Sequence, residues 1–256
     1  MRINKVIGVV GFPKSGNTWA SRLVRQITNG SIYVEKDDLS PSVDSSEIDG
    51  PEDVLIVKRH DSDVEGFCNY LAGQGIVADQ ISYVYVKRDL RDVVLSAFSF
   101  NYPYLHKYRN KFLMRPFLAF ETKCLAKCWC GPFWVRYFRK MIEPLLNNPH
   151  YVGSWNSHIG NWSFNENTIY LDYEKLLAEP ISEITRLSRY LGMSHSQSFL
   201  DEVIETQSFS SRKKEFVIAG DKINTQFLRK GAAGYWKDEL PESTANFIMR
   251  HSKDLL

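Results

Sequence analysis

The chain has 256 residues, 43% of them hydrophobic and 24% charged, the make-up of an ordinary globular enzyme. A formal net charge of +2 excludes binding to nucleic acid by bulk charge, so any anion site must come from local clustering of Lys and Arg. No apolar run reaches the length that spans a bilayer, and Met1 to Gly11 reads as a strand with no signal-peptide cleavage pattern.

In chain order, Lys5 to Val10 (KVIGVV) is a nearly continuous apolar run, as a buried parallel strand requires. A glycine-rich loop follows, then helical spacing from Thr18 to Thr28. Asp53 to Val57 is a second strand, running into Lys58-Arg59-His60. Ile81 to Val86 is a third, with a helix expected from Val93 to Phe100. The stretch from Tyr102 to Asn148 is aromatic and basic; it reads either as a helical cap packed on the sheet or as a lid over a substrate. Thr168 to Leu171 is a fourth strand, and a helix from Ile181 to Leu191 ends at Gly192. Strands alternating with helices imply an α/β fold with a central parallel sheet flanked by helices. With no linker and no internal repeat, residues 1–256 are expected to form one domain, 102–150 being its helical cap.

The cysteines are Cys68, Cys124, Cys128 and Cys130. Crowding in KCLAKCWC is wrong for a disulfide framework, and no further ligand completes a zinc site, so reduced thiols and a cytoplasmic protein are expected.

Gly11-Phe12-Pro13-Lys14-Ser15-Gly16-Asn17-Thr18-Trp19 lies between a strand and a helix. Such a turn aims backbone N–H groups and a helix N-terminus at one point, which suits a phosphate. The spacing of Gly11, Gly16 and Thr18 is close to that of a nucleoside-triphosphate loop, but Asn17 stands where that loop has its lysine, and Lys14 lies inside the loop instead. Further cationic segments follow. Lys87-Arg88-Asp89-Leu90-Arg91-Asp92 leads to Ser96, and Arg229-Lys230-Gly231 precedes Ala232-Ala233-Gly234-Tyr235-Trp236-Lys237. Alone, the first reads as a helix start with surface ion pairs and the second as a solvated basic turn.

Together these segments resemble the motifs of the sulfotransferases that use 3′-phosphoadenosine 5′-phosphosulfate (PAPS). FPKSGNTW is similar to their 5′-phosphosulfate loop, usually YPKSGTTW, with Asn17 in place of Thr. The resemblance implies a P-loop fold with PAPS as donor and 3′-phosphoadenosine 5′-phosphate (PAP) as product, without a metal. It implies that Lys14 meets the bridging oxygen, that Ser15, Gly16, Asn17 and Thr18 cradle the 5′ group, and that Trp19 stacks on the adenine. Arg88 and Ser96 match the family's 3′-phosphate motif, with Leu90 for its usual Pro; Arg229, Lys230 and Gly231 match its RKGxxGDWK segment, with Tyr235 for Asp. Tyr173 and Phe209 fall where the family places adenine or catalytic-site contacts.

Lys58-Arg59-His60 matches the family's Lys-x-His, which makes His60 the base and Lys58, with Lys14, a stabiliser of the leaving charge. The chemistry agrees: imidazole can accept a hydroxyl or amine proton at neutral pH, and cations suit charge that develops on a departing oxygen. After His60 the family usually continues Leu-Pro, whereas this chain has Asp61-Ser62-Asp63. Carboxylates there would suit a small polar or cationic acceptor, such as a bacterial secondary metabolite, with Asp61 and Asp63 as contacts; otherwise they face solvent or cap the next helix. Other readings are a P-loop kinase or NTPase, with Asp172 imitating its metal-binding carboxylate, and a nucleotide-binding module without catalysis. The family's KxxxTVxxxE-like dimerisation segment is missing, which leaves oligomeric state open.

Overall fold

A computed structural model describes residues 2–33, 54–97, 154–220 and 231–253. Among them, β1 (Arg2–Val10), β2 (Ser31–Tyr33), β3 (Val54–Lys58), β4 (Val77–Lys87) and β5 (Thr168–Asp172) form one sheet in the order β2-β3-β1-β4-β5. All its pairings are parallel; Val9 lies opposite Lys58 on one side and Val84 on the other. The α/β class expected from the alternation is the class found.

The strands differ from the expectation at their ends. β2 was not anticipated, because SIY is too short to show a period. β4 starts at Val77, ahead of the apolar run, because its first four residues, Val77 to Gln80, are mostly exposed and include the polar Asp79 and Gln80, so they break the apolar pattern. The helix expected from Val93 already begins at 90 and is described through 97.

Side chains of β1 alternate between the two faces, as strand geometry demands. Ile7 and Val9 pack with Ala20, Leu23, Val24 and Ile27 of α1 (Asn17–Thr28) on one side. Val6 and Val10 pack on the other with Phe67 and Leu71 of α2 (Val64–Gly73) and Trp162 of α3 (Trp155–Ser163). α4 (Tyr173–Ala178), α5 (Pro180–Tyr190) and α6 (Gln197–Thr206) add Leu176, Ile184, Leu187, Leu200 and Val203 to the α1 face. α7 (Phe209–Ile218) follows, its N-terminus capped by Ser208. A sheet covered on both faces explains why Val6, Ile7, Val9 and Val10 are all fully buried.

Chain contacts divide the protein into two compact units. The first, Met1–Arg88 with His158–Ala233, contains the whole sheet. In it the chain leaves β3 on one side of β1 and resumes as β4 on the other, so the C-terminal ends of β3, β1 and β4 meet at a topological switch point, where such sheets bind ligands. The second, Asp89–Ser157 with Gly234–Leu256, includes the helical stretch 90–97, α8 (Trp236–Glu239) and α9 (Glu242–Lys253). Its buried Asp92 accepts hydrogen bonds from the Gly234 and Trp236 N–H groups at 2.6 and 3.0 Å. The cap or lid expected over 102–150, with Cys124, Cys128 and Cys130, lies outside the described residues.

Candidate functional site

The loop after β1 is shaped by bonds among its own contiguous residues. Ser15 N–H donates to the Phe12 carbonyl at 3.1 Å, closing a turn whose next residue, Gly16, has φ 110°. Gly16 is the N-cap of α1 with no side-chain cap, so the first-turn N–H groups face the loop's concavity, a ready anion site. A Cβ on Gly16 would lie 2.9 Å from the Tyr173 ring, and one on Gly11 would lie 2.6 Å from the Val86 carbonyl. The loop therefore sits tight against β4 and α4. Lys14, at its apex, has φ 71°, which is costly for a side chain with a Cβ.

Cations converge here. Burial, with Lys58 and Arg88 nearby, pushes the Lys14 ammonium down to about 7. Burial also lowers Lys58, and Arg22 adds to the effect. Lys58 reaches Thr18 Oγ1 at 3.5 Å from the end of β3. Arg88, at the end of β4, donates to the Lys14 carbonyl at 3.2 Å and to the Ala232 carbonyl at 3.3 Å, with its guanidinium 4.1 Å from the Tyr173 ring centre. The second and third cationic motifs thus meet through Arg88, in the first unit. Ser15 Oγ and Asn17 Oδ1 are buried without a hydrogen-bond partner among the described residues. Mutually repelling buried cations around unused polar atoms and bare helix N–H groups fit a phosphosulfate and a 3′-phosphate.

Aromatic groups border the loop. Trp19 stands edge-on to Tyr173, centroids 5.5 Å apart, and its Nε1–H donates to the Gln207 carbonyl at 2.8 Å. Gly231, at φ 60°, lies so close to the Phe209 ring that a Cβ would not fit. Its neighbours Arg229 and Lys230 lie outside the described residues. Ser96 is half-buried on the helical stretch of the second unit. Tyr235, which replaces the family's Asp, donates its hydroxyl to the Asp92 carbonyl at 3.0 Å, so this turn keeps a brace of its own.

His60 follows β3, with Nδ1 2.8 Å from the Gly11 carbonyl and 2.9 Å from Asn17 Nδ2. Burial pulls its imidazole down to about 4; the Gly11 carbonyl acts the other way, and Lys58, His158 and Arg59 lower it further. The ring is therefore neutral at pH 7. Behind it stand residues that sequence reading missed. His158 Nε2 lies 3.3 Å from the His60 carbonyl, which can only accept, so Nε2 carries a proton and Nδ1 accepts from the Tyr85 hydroxyl at 2.8 Å. Burial holds His158 near 4, consistent with a neutral ring. Trp162 Nε1–H donates to the Asp61 carbonyl at 3.1 Å. α3 thus pins consecutive carbonyls of the base loop. A polar ring at 158 and an indole at 162, one helical turn apart, were the only trace of this in sequence.

The carboxylates beyond His60 are engaged locally. Asp63 accepts from Gly66 N–H at 2.8 Å and from Ser62 Oγ at 3.0 Å, capping α2. Asp61 pairs with Arg59 at 3.1 Å, and the Arg59 guanidinium lies 3.8 Å over the Tyr70 ring. Of the readings open for Asp63, helix cap is the one the structure contains. Asp172 likewise caps α4 through Lys175 N–H at 3.0 Å, so its carboxylate serves a helix rather than a metal-binding strand end.

A family model described as "Sulfotransferase domain" matches residues 5–256. Sulfotransferase 1A1 of Rattus norvegicus is 25% identical over 89% of this chain and 76% of its own. The crystal structure of mouse sulfotransferase SULT7A1 complexed with PAP superposes with a TM-score of 0.62 at 19% identity, covering 97% of this chain and 82% of that one. Retinol dehydratase in complex with androsterone and inactive cofactor PAP gives 0.63 at 19% identity, covering 99% and 81%.

Proposed function

The chain belongs to the sulfotransferase domain family, and we propose that it moves the sulfuryl group of PAPS to a hydroxyl or amine of a small acceptor in the cytoplasm, releasing PAP. The observation that carries this is a loop that lacks the triphosphate-binding lysine, with His60 against its Gly11 carbonyl and Lys58 near its Lys14. The solved relatives, one of which holds PAP together with androsterone, support the donor and the small size of the acceptor.

When bound, the donor supplies an activated sulfuryl group with a phosphate as leaving group. The chain's part is then electrostatic and acid–base. Lys14 and Lys58 hold negative charge at the loop apex, an effect of order 10²–10³ in rate per well-placed donor. Arg88 and Gly231, with Arg229 and Lys230, hold the 3′-phosphate. Ser15, Gly16, Asn17 and Thr18 receive the 5′ group, with Trp19, Tyr173 and Phe209 as the aromatic border. His60 takes the proton of the attacking group, for which a neutral ring with a low pKa is already in the correct form. For the acceptor we favour a polar molecule, because the Arg59–Asp61 pair beside the base offers both a donor and an acceptor of hydrogen bonds.

Thermal melting with PAP, with PAPS and with Mg·ATP, each with and without EDTA, tests the donor assignment, since a ligand of the folded state raises the melting point by mass action. A clear upward shift with PAP, insensitive to EDTA, is expected. A larger shift with Mg·ATP would instead favour a kinase or NTPase.

A further inference from the structure

We propose that Asn17 and the Gly11 carbonyl form a clamp that holds His60 with its proton on Nδ1, leaving Nε2 as the proton-accepting atom. This rests on His60 being the base. Three polar atoms meet pairwise: Asn17 Nδ2 to the Gly11 oxygen at 2.8 Å, His60 Nδ1 to the same oxygen at 2.8 Å, and Nδ2 to Nδ1 at 2.9 Å. A carbonyl oxygen can only accept, so at these distances both nitrogens carry protons directed at it. The opposite tautomer would let Nδ1 accept from Asn17 Nδ2 at 2.9 Å, but it would set the Nδ1 lone pair against the Gly11 oxygen at 2.8 Å, which has no proton to give, and make Nε2 a donor, useless for receiving a proton. Asn17 is 4% exposed, on the first turn of a helix whose next turn closes over it through Ser21 Oγ to the Asn17 carbonyl at 2.8 Å. Its amide is thus a rigid strut that fixes the direction of the Gly11 carbonyl.

The clamp also acts during the reaction. When Nε2 accepts the proton of the attacking hydroxyl or amine, the ring becomes an imidazolium. Its Nδ1–H bond to Gly11 then becomes charge-assisted and strengthens as the O–S or N–S bond forms and the electron pair of the old S–O bond departs with the 5′-phosphate. Because Gly11 is the first residue of the donor loop, base and donor are aligned by one oxygen atom. Asn17 is a positioning residue in this scheme, acting through Gly11 and His60.

The test combines the tautomer with kinetics. ¹⁵N NMR of the wild-type chain is expected to show His60 protonated on Nδ1 and bare on Nε2. Asn17→Ala should lower kcat at saturating PAPS by roughly 10–100-fold, the range typical of a misaligned group. Asn17→Asp should raise the acid limb of the kcat profile by about one pH unit, because a carboxylate beside the ring favours its charged form; a merely structural amide would leave that limb in place. A proton on Nε2 in the wild type overturns the clamp, as does Asn17→Ala with wild-type kcat. If the variants fail to fold, the wild-type spectrum decides alone. If His60→Ala retains turnover, the base assignment fails, whereas the spectrum still reports the clamp.

Discussion

The donor loop and the base loop end neighbouring strands, β1 and β3, yet they are built in opposite ways. From Gly11 to Trp19 the shape comes from contiguous residues: glycines where a Cβ would strike Val86 or Tyr173, a lysine in the left-handed region, and a helix beginning with no side-chain cap. From Lys58 to Asp63 the shape is imposed from outside. Arg59 N–H donates to the Val9 carbonyl at 3.1 Å, Gly11 receives His60, and α3, about a hundred residues away in sequence, holds the next carbonyls through His158 and Trp162. A loop determined by its own backbone appears as a motif. A loop determined by distant partners does not, and its sequence can drift while its geometry is kept.

That contrast sets out how each part should fail. The largest effect is expected at His60, where Ala should cut kcat by about 10²–10⁴ while leaving PAP affinity nearly unchanged, since the proposed role has the ring meet the acceptor and not the nucleotide. Steady-state kinetics alongside calorimetric PAP titration separates the two; a matching loss of PAP affinity would mean that the loops cannot be perturbed independently.

The pH dependence tests both loops at once. kcat/KM for PAPS reports the free enzyme. His60 must be neutral, so activity should fall as pH drops towards about 4; Lys14 must be charged, so it should fall as pH rises through about 7. Bound anion favours the ammonium, so PAP binding at pH 8 should take up a proton, read by calorimetry in buffers of different ionisation enthalpy. Proton release would contradict the burial of Lys14 among cations.

Smaller effects belong to the supports. His158→Phe keeps the ring's bulk but strands the Tyr85 hydroxyl and the His60 carbonyl, each normally worth about 1–3 kcal/mol when left unpaired in the interior. Denaturant melting should show that loss, together with a lower kcat and an unaltered PAP affinity. Asp63→Ala should cost only about 0.5–2 kcal/mol, the value of a helix cap, with acceptor preference unchanged. A switch in preference towards apolar acceptors would instead make Asp63 part of the acceptor site.

The same contrast explains what could be read in advance. The parallel sheet showed in its apolar runs, and the donor loop showed in FPKSGNTW, because strand burial and backbone turns constrain adjacent residues. β2 escaped because an edge strand of three residues has no pattern to display. The roles of His158, Trp162 and Asp92 escaped because nothing local marks a polar side chain that serves a carbonyl or amide far along the chain. Asp63 was open to two readings for the same reason: a carboxylate beside a base and a carboxylate that caps a helix are written identically.

Lys14 adopts a backbone angle, φ 71°, that ordinarily disfavours any residue with a Cβ by about 1–2 kcal/mol. An engineer ranking substitutions by thermostability would replace it with glycine early, relieving the backbone and removing a buried cation in one step. The gain in melting temperature would come with loss of the group proposed to meet the sulfuryl donor. At this position a stability-guided library and an activity-guided library should diverge at once, and the strained lysine is the residue to hold constant while the rest of the chain is improved.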